Sequence, residues 1–292
     1  MQHAQYQRHV CARPQLNERI RLASSVGANR VDDDDQRTIG TGLLDNKEEF
    51  PFFREFWIET PEPGADRITF HALLDGETAT GAYRFDLRPG LDTMLEVNLT
   101  LFPRKAGAKI GMAPLTSMFF AGENDRRASM ATRAEAHDSD GLLIHTVAGE
   151  WLWRPLRNPA STEVSAFMGK NVQGFGLIQR DRTFDHYQDL DLNYELRPSY
   201  WVEPRENWGE GQIDLIEMPA KDDAQNNVIA AWVPKAPVEA GKPITLSWRI
   251  TSSLDMRRHL IDQQHLMPRA RPMGANGAAN GARTPNDYRF GH

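Results

Sequence analysis

The stretch Thr93-Met94-Leu95-Glu96-Val97-Asn98-Leu99-Thr100-Leu101-Phe102 decides the fold class. Leu95, Val97, Leu99 and Leu101 fall on one side of an extended chain. Met94, Glu96, Asn98 and Thr100 fall on the other. A period of two marks a strand with one face buried and one face in water. The same pattern recurs on both sides of it. Ile244, Leu246, Trp248 and Ile250 alternate with Thr245, Ser247 and Arg249. Ile68, Phe70, Ala72 and Leu74 form another such row, and Tyr83, Phe85 and Leu87 alternate with Arg84 and Asp86.

Further strands are expected at Leu115–Phe120, Leu142–His145, Glu150–Arg154, Glu163–Met168, Phe175–Gln179, Tyr194–Val202, Gln212–Met218 and Val228–Val233. Turn signals separate them: Pro61-Glu62-Pro63-Gly64, Asp75-Gly76, Arg88-Pro89-Gly90, Asp140-Gly141 and Ala240-Gly241-Lys242-Pro243. No amphipathic helix longer than about 12 residues interrupts them. About twelve strands without crossover helices predict an all-β protein, a large antiparallel β-sandwich.

The composition fits a globular chain: 292 residues, 40% hydrophobic and 25% charged. That is long enough to bury a sizeable core. Mean hydropathy is −0.58, and no apolar run approaches the roughly 18 residues of a membrane span. A net charge of −6 and a pI of about 5.9 argue against a nucleic-acid partner. A single cysteine, Cys11, excludes an intramolecular disulfide and a cysteine-rich zinc site.

The ends differ from the middle. Residues 1–38 are polar, run into Asp32-Asp33-Asp34-Asp35 and lack the apolar stretch of an export signal. Residues 39–253 carry the strand pattern. Residues 254–292 read as a short helix or a disordered tail rich in Gly, Ala, Pro and Arg.

No GxSxG, HExxH, P-loop or dinucleotide motif is present. Gly174-Phe175-Gly176 reads as the start of a strand. Polar and aromatic density stands out instead, in His137-Asp138-Ser139-Asp140, Gln179-Arg180-Asp181-Arg182 and Asp185-His186-Tyr187, then at Tyr194, Arg197, Tyr200 and Trp201. Carboxylates beside Trp and Tyr platforms suit sugars: rings stack on pyranose faces, and carboxylates and Arg bond the hydroxyls. Surface ion pairs over core tryptophans would leave the same pattern. His137, Asp138 and Asp140 could be metal ligands, but no second His-rich segment supports them, so neither metal nor cofactor is expected. Trp151 and Trp153 share a strand face and read as core.

The segments GFGLIQRDRTFDHYQDLDLNYELRPSYWVEP (Gly174–Pro204), PLTSMFFAGENDR (Pro114–Arg126), HDSDGLLIHT (His137–Thr146) and GEWLWRPLRNP (Gly149–Pro159) resemble the osmoregulated periplasmic glucan biosynthesis proteins, the OpgG/OpgD (MdoG/MdoD) family. EEFPFFREFWIE (Glu48–Glu59) and TGAYRFDLRPG (Thr80–Gly90) match as well. The resemblance covers about 210 residues, from Ile39 to Thr251. It implies a galactose-mutarotase-like β-sandwich, of which this chain would be a truncated part without a signal peptide of its own. It also implies a periplasmic location, and a β-glucan oligosaccharide or polysaccharide, β-1,2-linked, as partner.

The family's glucanases resemble inverting glycoside hydrolases, which need one carboxylic acid and one carboxylate base. By the match of HDSDGL, Asp138 takes the base position. Tyr194 and Arg197, in YELRPS, match residues that line a proton relay. Arg180 and Asp181 are expected to line the same groove. The family's acid lies in D-E-x-N-D-N-I-V-A-x-W. Here the run is Asp222-Asp223-Ala224-Gln225-Asn226-Asn227-Val228-Ile229-Ala230-Ala231-Trp232, so the acid position falls on Asn226. Asp223 stands at the family's Glu and could substitute only if its loop moved. The resemblance thus implies either a β-1,2-glucan-processing protein, or a non-catalytic glucan-binding scaffold or non-functional remnant.

Overall fold

The computed structural model describes residues 6–7, 49, 51–125 and 134–256. The tail expected at 254–292 lies outside them beyond residue 256, and so does the segment 1–38 except for Tyr6–Gln7. Sixteen strands are described: β1 Tyr6–Gln7, β2 Phe52–Glu59, β3 Ile68–Asp75, β4 Ala79–Arg88, β5 Thr93–Pro103, β6 Met112–Ser117, β7 Phe119–Ala121, β8 Ala136–His137, β9 Gly141–His145, β10 Trp151–Pro155, β11 Glu163–Lys170, β12 Gly174–Ile178, β13 Ser199–Pro204, β14 Glu210–Glu217, β15 Val228–Pro234 and β16 Ile244–Ser253. A single helical turn, α1, spans Phe184–Tyr187, and a 3-10 turn spans Tyr194–Leu196. No helix among the described residues is long and apolar enough to cross a membrane.

The strands form a ten-stranded sheet in the order β1-β2-β3-β4-β5-β16-β13-β12-β9-β10, a four-stranded sheet β11-β14-β15-β6, and the small pair β7-β8. All pairings are antiparallel. The expected all-β sandwich is therefore present. Strand β16 enters the middle of the large sheet, with Trp248 opposite Val97 and Leu246 opposite Leu99. The buried rows of β3, β4, β5 and β16 meet Leu115, Ile213, Leu215, Val228, Ala230 and Trp232 of the smaller sheet in one core. Trp208 joins the two layers, 5.9 Å from the Trp232 ring and 6.1 Å from the Trp248 ring. Each such buried side chain contributes roughly 1.5–3 kcal/mol.

Two expected strands need correction, and one strand was missed. Strand Leu115–Phe120 is broken at Met118, because β6 and β7 belong to different sheets. The strand expected over Tyr194–Val202 begins only at Ser199. Asn193 adopts the left-handed conformation and Arg197 N donates to Tyr194 O at 3.1 Å, so residues 194–196 coil before Pro198, which has no N–H for a ladder. Strand β2 was not expected. A bulge between Phe53 and Glu55 breaks its period of two, so that Phe53, Phe56 and Ile58 all reach the core.

Gly174-Phe175-Gly176 does start β12. A Cβ on Gly176 would lie 2.3 Å from Tyr200 O, and one on Gly174 would lie 2.4 Å from the Trp201 ring. Trp151 and Trp153 are half-buried and pack on Leu143, Ile178, Trp201 and Met256, a cluster separate from the main core.

Candidate functional site

The site is assembled from three separate segments: β8 with the turn after it, the stretch from the end of β12 through α1 to the 3-10 turn, and the β14–β15 loop. Their side chains form a row. Arg197 Nε lies 3.2 Å from Asp138 Oδ1. The Arg197 guanidinium lies 5.8 Å from the centre of the Tyr194 ring. Tyr194 Oη donates to Asp223 Oδ2 at 2.9 Å. Asp138, Arg197, Tyr194 and Asp223 are thus linked end to end. The Tyr194 ring is buried, while the Asp138 and Arg197 side chains keep 27% and 36% of their surface exposed, enough to meet a ligand.

The β14–β15 loop is held at its base. Buried Asn227 accepts from Phe119 N at 2.8 Å and donates to Phe119 O at 3.0 Å and Met218 O at 2.9 Å. Asn158 does the same at Ala220, accepting from its N–H at 2.8 Å and donating to its carbonyl at 3.0 Å. Asn226 itself is exposed. Asp223 is the residue of this loop that accepts the Tyr194 hydroxyl.

Arg180 and Asp181 point elsewhere in this structure. Arg180 stacks on the Trp153 ring at 4.8 Å. Asp181 Oδ2 pairs with His186 Nδ1, and its Oδ1 accepts from Thr183 N at 2.9 Å. Asp140 Oδ2 holds the backbone N–H groups of Arg180 and Asp181 at 2.7 and 3.0 Å.

Beneath the row lies a buried polar layer. His137 Nε2 lies 2.9 Å from Glu135 Oε2, and its Nδ1 lies 2.9 Å from Gln179 Oε1. Burial alone would push the His137 imidazole down, but the Glu135 hydrogen bond and the charges of Asp140 and Glu135 outweigh it and hold it above its ordinary value. Burial raises the Asp140 carboxyl, against the pull of His137 and the two N–H bonds. Glu123 is raised by burial and by the nearby charges of Glu135, Asp181 and Asp140.

One group of described residues has metal-ligand spacing: Glu135, Asp181 and His186, with ligand atoms within 4.8 Å of one another. It differs from the His137, Asp138 and Asp140 set weighed from the sequence. Two of its members pair with each other, Asp181 with His186, and Glu135 pairs with His137. Glu135 carries no sequence signal of its own, and Gln179 stands out only as one member of a polar run. Their part emerges only when β8 and the end of β12 come together.

A family model described as "Periplasmic glucan biosynthesis protein, MdoG" matches residues 37–290. The "Probable glucans biosynthesis protein D" of Shewanella oneidensis is 50% identical over 207 residues, which is 71% of this chain and 38% of that protein. The "Glucans biosynthesis protein G" of Pseudomonas aeruginosa is 48% identical over 212 residues, 73% of this chain and 40% of that one. The protein of the same name from Sodalis glossinidius is 45% identical over 287 residues, 93% of this chain and 54% of its own length. The chain spans about two fifths to one half of the length of these relatives.

Proposed function

This chain belongs to the MdoG family of periplasmic glucan biosynthesis proteins, and from that membership we propose that it acts on periplasmic glucan, binding a β-1,2-linked chain along the row Asp138–Arg197–Tyr194–Asp223. The observation that carries the proposal is that row. Four residues from three segments converge, and each end of the row offers a carboxyl. Carboxylates and a guanidinium in alternation are well suited to vicinal hydroxyl groups. The periplasm is the compartment where such a ligand would be met.

Isothermal titration with linear β-1,2-glucan, and with linear β-1,3-glucan as the control, tests this. Heat with the first and none with the second is expected. No heat with the first, from folded protein, would overturn it.

A second function, inverting hydrolysis, draws on the same row. It needs a base, a role that the resemblance gives to Asp138, and an acid. Asn226 has no proton to give at neutral pH. Asp223 does bear a carboxyl, but Oδ2 already accepts from Tyr194, so a proton for the leaving oxygen would have to sit on Oδ1. Binding with slow or no cleavage therefore fits these residues best. Release of reducing ends from linear β-1,2-glucan measures it.

A further inference from the structure

Gln179 lies just past the end of β12 and is 2% exposed. Its amide nitrogen lies 3.1 Å from His137 O, 2.9 Å from Tyr187 Oη and 3.1 Å from Tyr194 O. Two of these three are carbonyl oxygens, which only accept. Turning the amide over would set its oxygen against both, so the amide has one orientation. Its Oε1 then faces His137 Nδ1 at 2.9 Å, and that nitrogen must carry a proton. The backbone of Gln179 is held too. Its N–H donates to Ser199 Oγ at 3.0 Å, and Ser199 Oγ donates to its carbonyl at 3.3 Å.

The partners lie on both sides of the ion pair in the row. His137 directly precedes Asp138. The Tyr194 carbonyl that Gln179 holds also accepts Arg197 N at 3.1 Å, the bond that closes the turn and presents Arg197. One amide therefore reaches the segment carrying Asp138 and the segment carrying Tyr194 and Arg197.

We propose that Gln179 is a positioning residue: it sets the separation of Asp138 from the Tyr194–Arg197 turn, and through it the geometry of the ligand-binding row. Its effect on ligand rests on the glucan-binding function proposed above; its effect on the two segments does not. A residue that only stabilises the sandwich would loosen the whole sheet. A positioning residue loosens these two segments and couples to Arg197.

Hydrogen–deuterium exchange separates the two roles without any ligand. Gln179→Met keeps the length and removes all four contacts. Leu177→Ala, on the buried face of the same strand, is the stability control. Exchange at 137–140 and 194–198 is expected to speed up about tenfold in Gln179→Met, relative to the rest of the sheet, and not in Leu177→Ala. A uniform change in both variants overturns the proposal. If Gln179→Met does not fold, Gln179→Glu keeps the acceptor facing His137 Nδ1 and loses the amide donors. It should then loosen 194–198 more than 137–140, and an equal rise in both would count against the proposal.

Titration with linear β-1,2-glucan completes the test. Gln179→Met should weaken binding about tenfold, and the double variant with Arg197→Met should bind within about twofold of Arg197→Met alone. Additive losses would mean that Gln179 does not act through the row. If the unmodified chain binds no glucan, the glucan-binding function falls, and the exchange comparison still decides whether Gln179 sets the two segments.

Discussion

Tyr194 Oη donates to Asp223 Oδ2 at 2.9 Å, fastening the β14–β15 loop to the turn that carries Arg197. The Tyr194 ring is 1% exposed, so the hydroxyl is the only part of this side chain that needs a polar partner. Tyr194→Phe keeps the packing and removes the bond. The expected loss of stability is about 1 kcal/mol, read from urea unfolding. Affinity for β-1,2-glucan should fall further, because Asp223 is released from the row. Unchanged affinity in titration would detach Asp223 from the site.

The strands were legible in the sequence where one face is buried and no bulge intervenes. Strand β5 alternates from Leu95 to Leu101 and pairs along its whole length with β4 and β16. Strand β2 hid because a bulge puts Phe53 and Phe56, three positions apart, on the same core face. Tyr194 looked like a strand residue because a buried aromatic beside polar neighbours fits that pattern; the left-handed Asn193 that coils the chain leaves only a weak trace. Asp138, Arg197, Tyr194 and Asp223 were all nameable from the sequence through the family resemblance. That they form one row depends on which loops the sheet edges bring together, which local periodicity does not encode. The pairing of Asp181 with His186, and of Arg180 with Trp153, is of the same kind.

Asn227 joins Phe119 to the β14–β15 loop across 108 positions of sequence. Its three hydrogen bonds satisfy the buried N–H and carbonyl of Phe119 and the part-buried carbonyl of Met218. Asn227→Ala leaves all three without a partner, and the expected loss is about 3 kcal/mol or more, since each orphaned group costs about 1–3 kcal/mol. Asn227→Asp should cost a similar amount, because a carboxylate cannot donate to the carbonyls. Equilibrium unfolding in urea gives the value. A loss under about 0.5 kcal/mol, the scale of ordinary surface substitutions, would mean that water replaces the clamp.

The Asp181–His186 pair predicts how stability depends on pH. The hydrogen bond that His186 donates to Asp181 raises the imidazole above its ordinary value near 6.5. Burial pushes Asp181 up, but bonds from His186 and Thr183 outweigh it and hold the carboxyl below 3.8. A raised histidine stabilises the fold fully below its unfolded pKa, and the contribution is lost as pH rises through its folded pKa. A lowered aspartate stabilises above its unfolded pKa and loses that contribution as pH falls through its folded pKa. The pair therefore helps most between about pH 4 and 6.5. His186→Gln should lower stability at pH 5.5 and change it little at pH 9. Urea unfolding across that range checks this. An equal loss at both pH values would show that the imidazole contributes by packing alone.

The last prediction concerns cleavage. Asn226 occupies the acid position that the family resemblance implies, and its carboxamide has no proton for a departing sugar alkoxide. Asp138, at the base position that the resemblance implies, would activate water, yet a base without an acid completes only half of an inverting reaction. The neighbouring Asn227 fixes the backbone through Phe119 and Met218, so an Asp placed at 226 would sit at the anchored end of the loop that carries Asp223. Asn226→Asp should raise the rate of β-1,2-glucan hydrolysis by about 10²-fold or more, within the usual range for general acid help. Asp138→Asn added to Asn226→Asp should abolish the gain, since the new acid is of no use without the base. Reducing-end release from linear β-1,2-glucan measures each form, with circular dichroism as the check on folding. Strong activity in the unmodified chain that disappears in Asp223→Asn would place the acid at Asp223 instead. A rate unchanged by Asn226→Asp, in protein that binds the glucan, would remove position 226 from the chemistry.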